Sequence, residues 1–288
     1  MTTKSDFNSP VILAIETSGR MGSVAIAQGE ELLGESRFTG PMRHSAEVFP
    51  AIVGLLERFG KKPVDIEQVY ISVGPGSFTG LRIAVTIAKT MALANNVGII
   101  AVDTLDVIAA NVINFTTAEN SQDKLGGLRP NELLATILDA KRGQFFVAVY
   151  RPAFSPSTGL PASPQTTGLC GAGRTGGQCS PMESLRTAFS VACPLIKVQP
   201  DCLMTAGEFL AKFADSKKPV WLLGEGLVYY KGSFAADGIR FFDERHWNPS
   251  AANVHRLGWQ KAKCGDFADA IRLAPNYLRQ PDVKLKRI

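Results

Sequence analysis

Apolar and polar positions fall along the chain in blocks whose length and period separate strands from helices. Val11–Thr17 (VILAIET) is a short continuous apolar run and predicts a buried strand. Gly22–Gly29 and Glu31–Phe38 predict two more, joined by short glycine-containing turns of the kind antiparallel hairpins use. Ser45–Phe59 changes period: Val48, Phe49, Ile52, Val53, Leu55, Leu56 and Phe59 recur at helical spacing. Ser45 is read as its N-cap, and Pro50 lies in the early turns, where proline does least harm. Val69–Val73 predicts a strand running into a glycine-rich loop. Leu81–Asn96 then predicts an alanine-rich helix, apolar on most of its surface and stopped by Asn95, Asn96 and Gly98. Gly98–Asp103 is a further strand.

The order β-β-β-α-β-α-β begins again near Glu132. Leu133–Lys141 and Phe145–Arg151 predict a hairpin around Arg142-Gly143, and Leu195–Val198 a third strand. Thr205–Ala214 predicts a helix, Val220–Leu223 a strand and Ser250–Cys264 a last helix. Two rounds of β-β-β-α-β-α predict a duplicated α/β fold. The arrangement resembles the two-lobed actin, Hsp70 and sugar-kinase (ASKHA) superfamily, whose lobes enclose a nucleotide cleft. The expected division is an N-terminal lobe over 1–118 and a C-terminal lobe over 119–288. The Pro/Gly/Ser/Thr-dense stretch at about 152–184 is expected to be a flexible insertion at a hairpin of the second lobe.

Composition narrows the class without choosing a function. The 288 residues are 45% hydrophobic and 20% charged, with a net charge of +5. The pI near 9.0 is compatible with a nucleic-acid partner and with plain solubility. No apolar run is long enough for a transmembrane helix, and the polar start MTTKSDFNSP has no apolar signal region, so a cytoplasmic protein is expected. Five widely spaced cysteines, with Cys170 and Cys179 inside the insertion, argue against a disulfide framework. The absence of any CxxC argues against structural zinc.

The stretch SVGPGSFTGLR, Ser72–Arg82, carries the most pointed chemical question. Gly74 and Gly76 permit backbone angles that other residues avoid, and Ser77 or Thr79 can cap the next helix. A helix N-terminus is a natural anion site. Yet Gly80 is followed by Leu81 and Arg82 rather than by the lysine of a Walker motif. It also stands one position too far from Gly76 for the dinucleotide fingerprint. A structural turn and a ligand loop both remain open on these grounds.

The wider chain is more specific. ILAIETSGRMGSVAIAQGEELLGE, HSAEVFPAIVGLLER, VYISVGPGSFTGLRIAVTIAKTMALANNVGIIAVDTLDVIA, LDAKRGQFFVAVY and APNYLRQPDV together resemble the TsaB (YeaZ) family of tRNA threonylcarbamoyladenosine biosynthesis. The resemblance covers most of 11–152 and returns weakly in 204–283; the Pro/Gly-rich insertion departs from it. It implies a non-catalytic scaffold that pairs through its N-terminal lobe with the transferase TsaD. With the ATPase TsaE, the pair would modify adenosine 37 of tRNAs reading codons that begin with A. It also implies no cofactor of its own, ATP or ADP only weakly or at the complex interface, tRNA contact through the complex, and a homodimer where the partner is missing.

The residues agree with a chain that lacks catalysis. The catalytic paralogue resembles a metalloprotein with an HxxxH pair, which places two imidazoles on one helical face. Here His44 is followed at that spacing by Val48. No GxSxG or HExxH motif accompanies Ser77. Active kinases of the superfamily carry Asp then Gly at the end of the first strand, where this chain has Glu16-Thr17-Ser18-Gly19. An ATP-dependent phosphotransferase or a peptidase-like enzyme is therefore the alternative.

The expected partner interface is Val48, Ile52, Leu55, Leu56, Arg82, Ala84, Ala88 and Ala92, the small residues letting a partner helix approach closely. Thr17, Ser18, Gly74, Gly76, Ser77, Thr79 and Gly80 are the structural-loop or nucleotide-contact candidates, with Arg82 expected to pair with Glu47 or Glu16 or to reach the partner. Basic positions open to RNA are Lys61, Lys62, Arg279, Lys284, Lys286 and Arg287.

Overall fold

Val11–Glu16 forms β1, and all six of its side chains are buried. Such a strand needs cover on both faces; helices of the first lobe supply it on one side, and the C-terminal helix and the core of the second lobe on the other. β2 (Ser23–Gln28) and β3 (Glu31–Arg37) pair antiparallel on one side of β1. β4 (Ile66–Gly74) and β5 (Gly98–Asp103) add parallel on the other, giving the order β3-β2-β1-β4-β5. The computed structural model describes residues 9–112, 128–129, 131–153, 195–215 and 217–279. Nearly all of the expected Pro/Gly-rich insertion, with Cys170 and Cys179, lies outside them, as do Lys284, Lys286 and Arg287.

The second sheet repeats the plan. β6 (Leu133–Asp139), β7 (Gln144–Pro152) and β8 (Leu195–Thr205) are antiparallel neighbours. β9 (Val220–Leu223) and β10 (Ile239–Phe241) pair parallel on the other side of β6. The order β8-β7-β6-β9-β10 matches the first sheet strand for strand. This is the duplicated two-lobed actin-like fold that the repeated element order predicts.

Two helices cover the outer face of the first sheet, α1 (His44–Arg58) and α2 (Phe78–Asn95). Val11, Leu13, Ile15, Val24, Ile26, Val69 and Ile71 point to that side, as period-2 alternation requires. α1 begins one residue earlier than expected. Its N-cap is Arg43, with no side-chain cap bond, so Ser45 is not the cap. Glu47 instead reaches back, accepting from the Thr39 amide at 2.6 Å and from the Arg43 guanidinium at 2.6 Å. α2 begins three residues earlier than expected, with Ser77 as N-cap, and ends on Asn96 in the left-handed region.

The opposite face, with Ile12, Ala14, Ala25, Tyr70 and Ile100, joins the core of the second lobe. The short helix α3 (Thr104–Ala109) and the long C-terminal helix α6 (Ala251–Lys263) lie there. α6 follows the second sheet in sequence yet packs on β1, β2, β4 and β5. Gly258 makes this possible, because a Cβ there would stand 2.5 Å from the Tyr70 ring. In the second lobe, α4 (Ala206–Phe213) opens with a capping box between Thr205 and Glu208, and α5 (Leu227–Tyr230) is a single turn.

A buried ionic cluster ties α3 to the second sheet. Lys197 Nζ lies 2.6 Å from Asp106 and 2.7 Å from Asp201, and the Tyr150 hydroxyl donates to Asp106 at 2.7 Å. Burial raises the Asp106 carboxyl to about 6 despite the lysine beside it. Removing one partner from such a cluster costs more than the cluster contributes, because the remaining charges stay desolvated. Lys197→Met is therefore expected to lower unfolding stability by about 3 kcal/mol, measured by urea denaturation at neutral pH.

Candidate functional site

Two regions could carry function: the groove between α1 and α2, and the cleft where the ends of β1 and β4 face the second lobe. The groove follows from α1 carrying more apolar residues than one stripe can hide. Val48, Ile52, Leu55 and Leu56 turn to the sheet and are buried. Phe49 and Val53, one helical turn apart, remain 60% and 49% exposed. Beside them α2 presents Phe78, Arg82, Ile83 and Thr86. These four, with Phe49 and Ser45 of α1, line a groove of about 390 Å³, floored by Val48 and Ile87.

This corrects the expected interface. Val48, Ile52, Leu55, Leu56, Ala84 and Ala88 all lie in the chain's own core, and Ala92 packs half-buried against it. The physical reason is that a helix on a sheet buries its most continuous apolar stripe there. The alanines at 84 and 88 are buried in this core and let α2 lie close to the sheet. Arg82 alone of the eight is fully exposed. It pairs with neither Glu47 nor Glu16: it lies over the Phe78 ring at 3.8 Å and donates from Nε to the Tyr277 hydroxyl at 3.2 Å. The sequence signal that finds the outward residues is the i, i+4 pair Phe49 and Val53, lying beside the buried stripe.

In the cleft, the glycine-rich loop is closed against the end of β1. The Ser77 amide donates to the Ser18 carbonyl at 2.7 Å, and the Thr17 hydroxyl donates to the Gly80 carbonyl at 2.7 Å. A Cβ at Gly80 would stand 1.8 Å from the Thr17 carbonyl oxygen, and one at Gly76 would stand 2.4 Å from that of Ser18. Gly74, at φ +115, lies against the Asn276 carbonyl. Ser77 accepts from the Gly80 amide at 3.3 Å as helix cap, while Thr79 is exposed and lines the groove instead. Thr17, Ser18, Gly74, Gly76, Ser77 and Gly80 are thus brought together, joined to one another or to the C-terminal segment.

Glu16 is fully buried at the head of this arrangement. Its Oε1 accepts from the Ser18 amide and hydroxyl, and its Oε2 from the Ser72 hydroxyl. Burial raises its carboxyl above the usual range, against the pull of these bonds. From the second lobe, Glu225 accepts the Arg20 amide at 2.7 Å, and Arg20 also donates to the Tyr229 hydroxyl at 2.5 Å. Gly19 admits Pro249 so closely that a Cβ would meet it at 2.9 Å. Burial lifts Glu225 to about 7, with the nearby Glu16 adding to the rise. His44 is buried with Nε2 on the Gly19 carbonyl at 2.9 Å, and burial lowers its pKa. It ties the start of α1 to the turn after β1. Among the described residues no group of three or more His, Cys, Asp or Glu side chains is placed to hold a metal ion.

Comparison with known proteins agrees with this geometry. The family described as TsaD, tRNA N6-adenosine threonylcarbamoyltransferase, matches residues 41–154. The TsaB protein of Bacillus subtilis is 26% identical over 281 residues, spanning 96% of this chain and 97% of that one. The Escherichia coli TsaB is 32% identical over 140 residues, 49% of this chain and 54% of its own length. The solved structure of YeaZ from Pseudomonas aeruginosa superposes with a TM-score of 0.65 at 18% identity, over 93% of this chain and all of that one. The architecture is that of a two-lobed actin-like protein with a glycine-rich loop bonded to its own first hairpin. Within that class, the chain is similar to TsaB (YeaZ) proteins, the curated relatives here being named for tRNA threonylcarbamoyladenosine biosynthesis.

Two outcomes test the site's construction. Gly80→Ala is expected to abolish stable folding. Gly54→Ala, in exposed helix with nothing within 4 Å of the new methyl, is expected to stabilise by about 0.5–1 kcal/mol in the same denaturation assay. For Glu225, the folded protein retains a proton that the unfolded chain has lost between the ordinary glutamate value and about 7. Its contribution is therefore most favourable at low pH and falls as pH rises through that window. Glu225→Gln should flatten that part of the stability profile and gain up to about 3 kcal/mol over wild type at pH 8, read as unfolding free energy against pH.

Proposed function

We propose that this chain is a non-catalytic subunit that pairs with a larger TsaD-type paralogue, seating the partner on the α1–α2 groove. The observation that carries the reading is the groove itself. Phe49 and Phe78 are large, exposed and line it together on the outer face of the first lobe, with the exposed Val53 one turn along α1 from Phe49, and apolar surface of this kind marks a protein contact. The bonding of the cleft supports the same reading. Glu16 is bonded by Ser18 and Ser72, Ser77 by Ser18 and Gly80, and Thr17 by Gly80, while Arg20 and Glu225 join the lobes across the cleft mouth. With the TsaE ATPase, the pair would place threonylcarbamoyl on adenosine 37 of tRNA in the cytoplasm. ATP or ADP would bind weakly or at the interface of the complex, and the same groove can pair two copies when the partner is missing. No helix among the described residues is long and apolar enough to cross a membrane.

The deciding assay is threonylcarbamoyl transfer to tRNA by TsaD and TsaE with and without this chain, beside a lane of the chain alone with ATP. Transfer is expected only when the chain is present. Phe49→Glu is expected to abolish both pairing and transfer, while Val64→Glu, exposed outside the groove, leaves them unchanged. Transfer that ignores the chain, or pairing that survives Phe49→Glu, would overturn the reading. Phosphate release by the chain alone would favour the phosphotransferase alternative.

A further inference from the structure

Ser18, Gly19 and Arg20 follow β1 and hold both helices of the groove through three successive carbonyls. The Ser18 carbonyl accepts from the amide of Ser77, the cap of α2, at 2.7 Å. The Gly19 carbonyl accepts from Nε2 of His44, the first residue of α1, at 2.9 Å. The Arg20 carbonyl accepts from the amide of Met42, just before α1, at 2.9 Å. Nδ1 of His44 is buried without a partner, so the neutral ring carries its hydrogen on Nε2 and gives it to Gly19.

The second lobe holds the same turn from the other side. Glu225 Oε2 accepts from the Arg20 amide at 2.7 Å, and the Arg20 guanidinium donates to the Tyr229 hydroxyl. Pro249 closes on Gly19, where a Cβ would stand 2.9 Å from the proline ring and 3.1 Å from Glu225 Oε2. The Gly19 carbonyl and the Arg20 amide belong to one peptide unit. Such a unit is planar and rigid, with its C=O and N–H on opposite edges. One edge is bonded to α1 through His44, the other to the second lobe through Glu225. When Glu225 withdraws and the plane turns, the carbonyl turns with it and His44 loses its acceptor. The carbonyls bonded by Met42 and Ser77 are one residue away on either side and move with the same turn. Glu225 is only 9% exposed, so a partner on the outer face of the first lobe finds almost no surface of it to touch.

We infer that this peptide couples closure of the cleft to the placement of α1, so that the buried Glu225 governs how tightly a protein partner pairs on the groove. The inference rests on the function proposed for the groove and adds its regulation from the other lobe. Opening the cleft loosens the partner, and a seated partner holds the cleft closed, because coupling between two sites is reciprocal.

The test alters the acceptor and reads the groove. Glu225→Ala removes the bond to the Arg20 amide, whereas Glu225→Gln keeps a carbonyl oxygen for it. Amide-resolved hydrogen exchange on the full chain follows Met42 and the last turn of α1, and pairing with the TsaD-type partner is titrated beside it. For Glu225→Ala the expected result is exchange at Met42 about tenfold faster and pairing about tenfold weaker, with the last turn of α1 unchanged. Glu225→Gln is expected to stay near wild type in both. Gly19→Ala, whose methyl forces Pro249 and Glu225 off the turn, is expected to act in the same direction and supplies the reading if Glu225→Ala does not fold. Unchanged Met42 exchange or unchanged pairing in the folded variants would overturn the coupling and leave the proposed function standing. So would a loss that Glu225→Gln does not restore, since charge rather than the bond would then be the cause. If the unaltered chain does not pair, the proposed function has failed. The coupling is then decided by Met42 exchange alone, which must rise with Glu225→Ala and not with Glu225→Gln.

Discussion

The contact between the Gly80 backbone and the Thr17 carbonyl fixes much of the first lobe. A helix can start that close to the end of a neighbouring strand only where no Cβ intervenes, and Gly76 meets the same requirement against Ser18. Once the loop is held there by the Ser77 and Thr17 hydrogen bonds, the departure of α2 from the sheet is set. So is the width of the groove it makes with α1. The same close approach therefore sets both the seat of the loop on the end of β1 and the groove between the two helices.

The two lobes have the same sheet order but differ in the helices that follow their strands. After the fourth strand the first lobe has the long α2, whereas the second has the one-turn α5. Among the described residues, only the first lobe therefore presents two long helices side by side on its outer face. The second lobe contributes instead to the cleft mouth: Gly224 and Gly226 press against β6, and Glu225 between them reaches Arg20. The lobes are joined further by the buried Lys197 cluster, by α6 lying on the first sheet, and by the C-terminal segment, with Leu273 in one core and Leu278 against the other.

Much of this was legible in the chain. The apolar run VILAIE could only be a fully buried strand, and the helical spacing in 48–59 located α1 to within a residue. The elements that escaped were short. Ile239–Phe241 and Leu227–Tyr230 span three and four residues, too few for a period to register. Leu195–Thr205 runs well past the expected Val198, because Pro200 and the polar residues around it look like a strand end, while pairing with β7 carries the ladder on.

The sequence by itself determined most of the elements, the repeat and the family resemblance, because periodicity and motif spacing are properties of neighbours along the chain. It also supplied the residues of the glycine-rich loop while leaving its use undecided. Tertiary structure alone decided which stripe of α1 and α2 faces the sheet, and so left Phe49, Val53 and Phe78 exposed while Val48, Ala84 and Ala88 are buried. It decided that Arg82 meets Tyr277, 195 positions away, rather than a carboxylate nearby in sequence. It also set one peptide unit between His44 and Glu225. Burial and proximity between distant segments arise only when the sheets, α6 and the C-terminal segment pack together, and no local pattern encodes them.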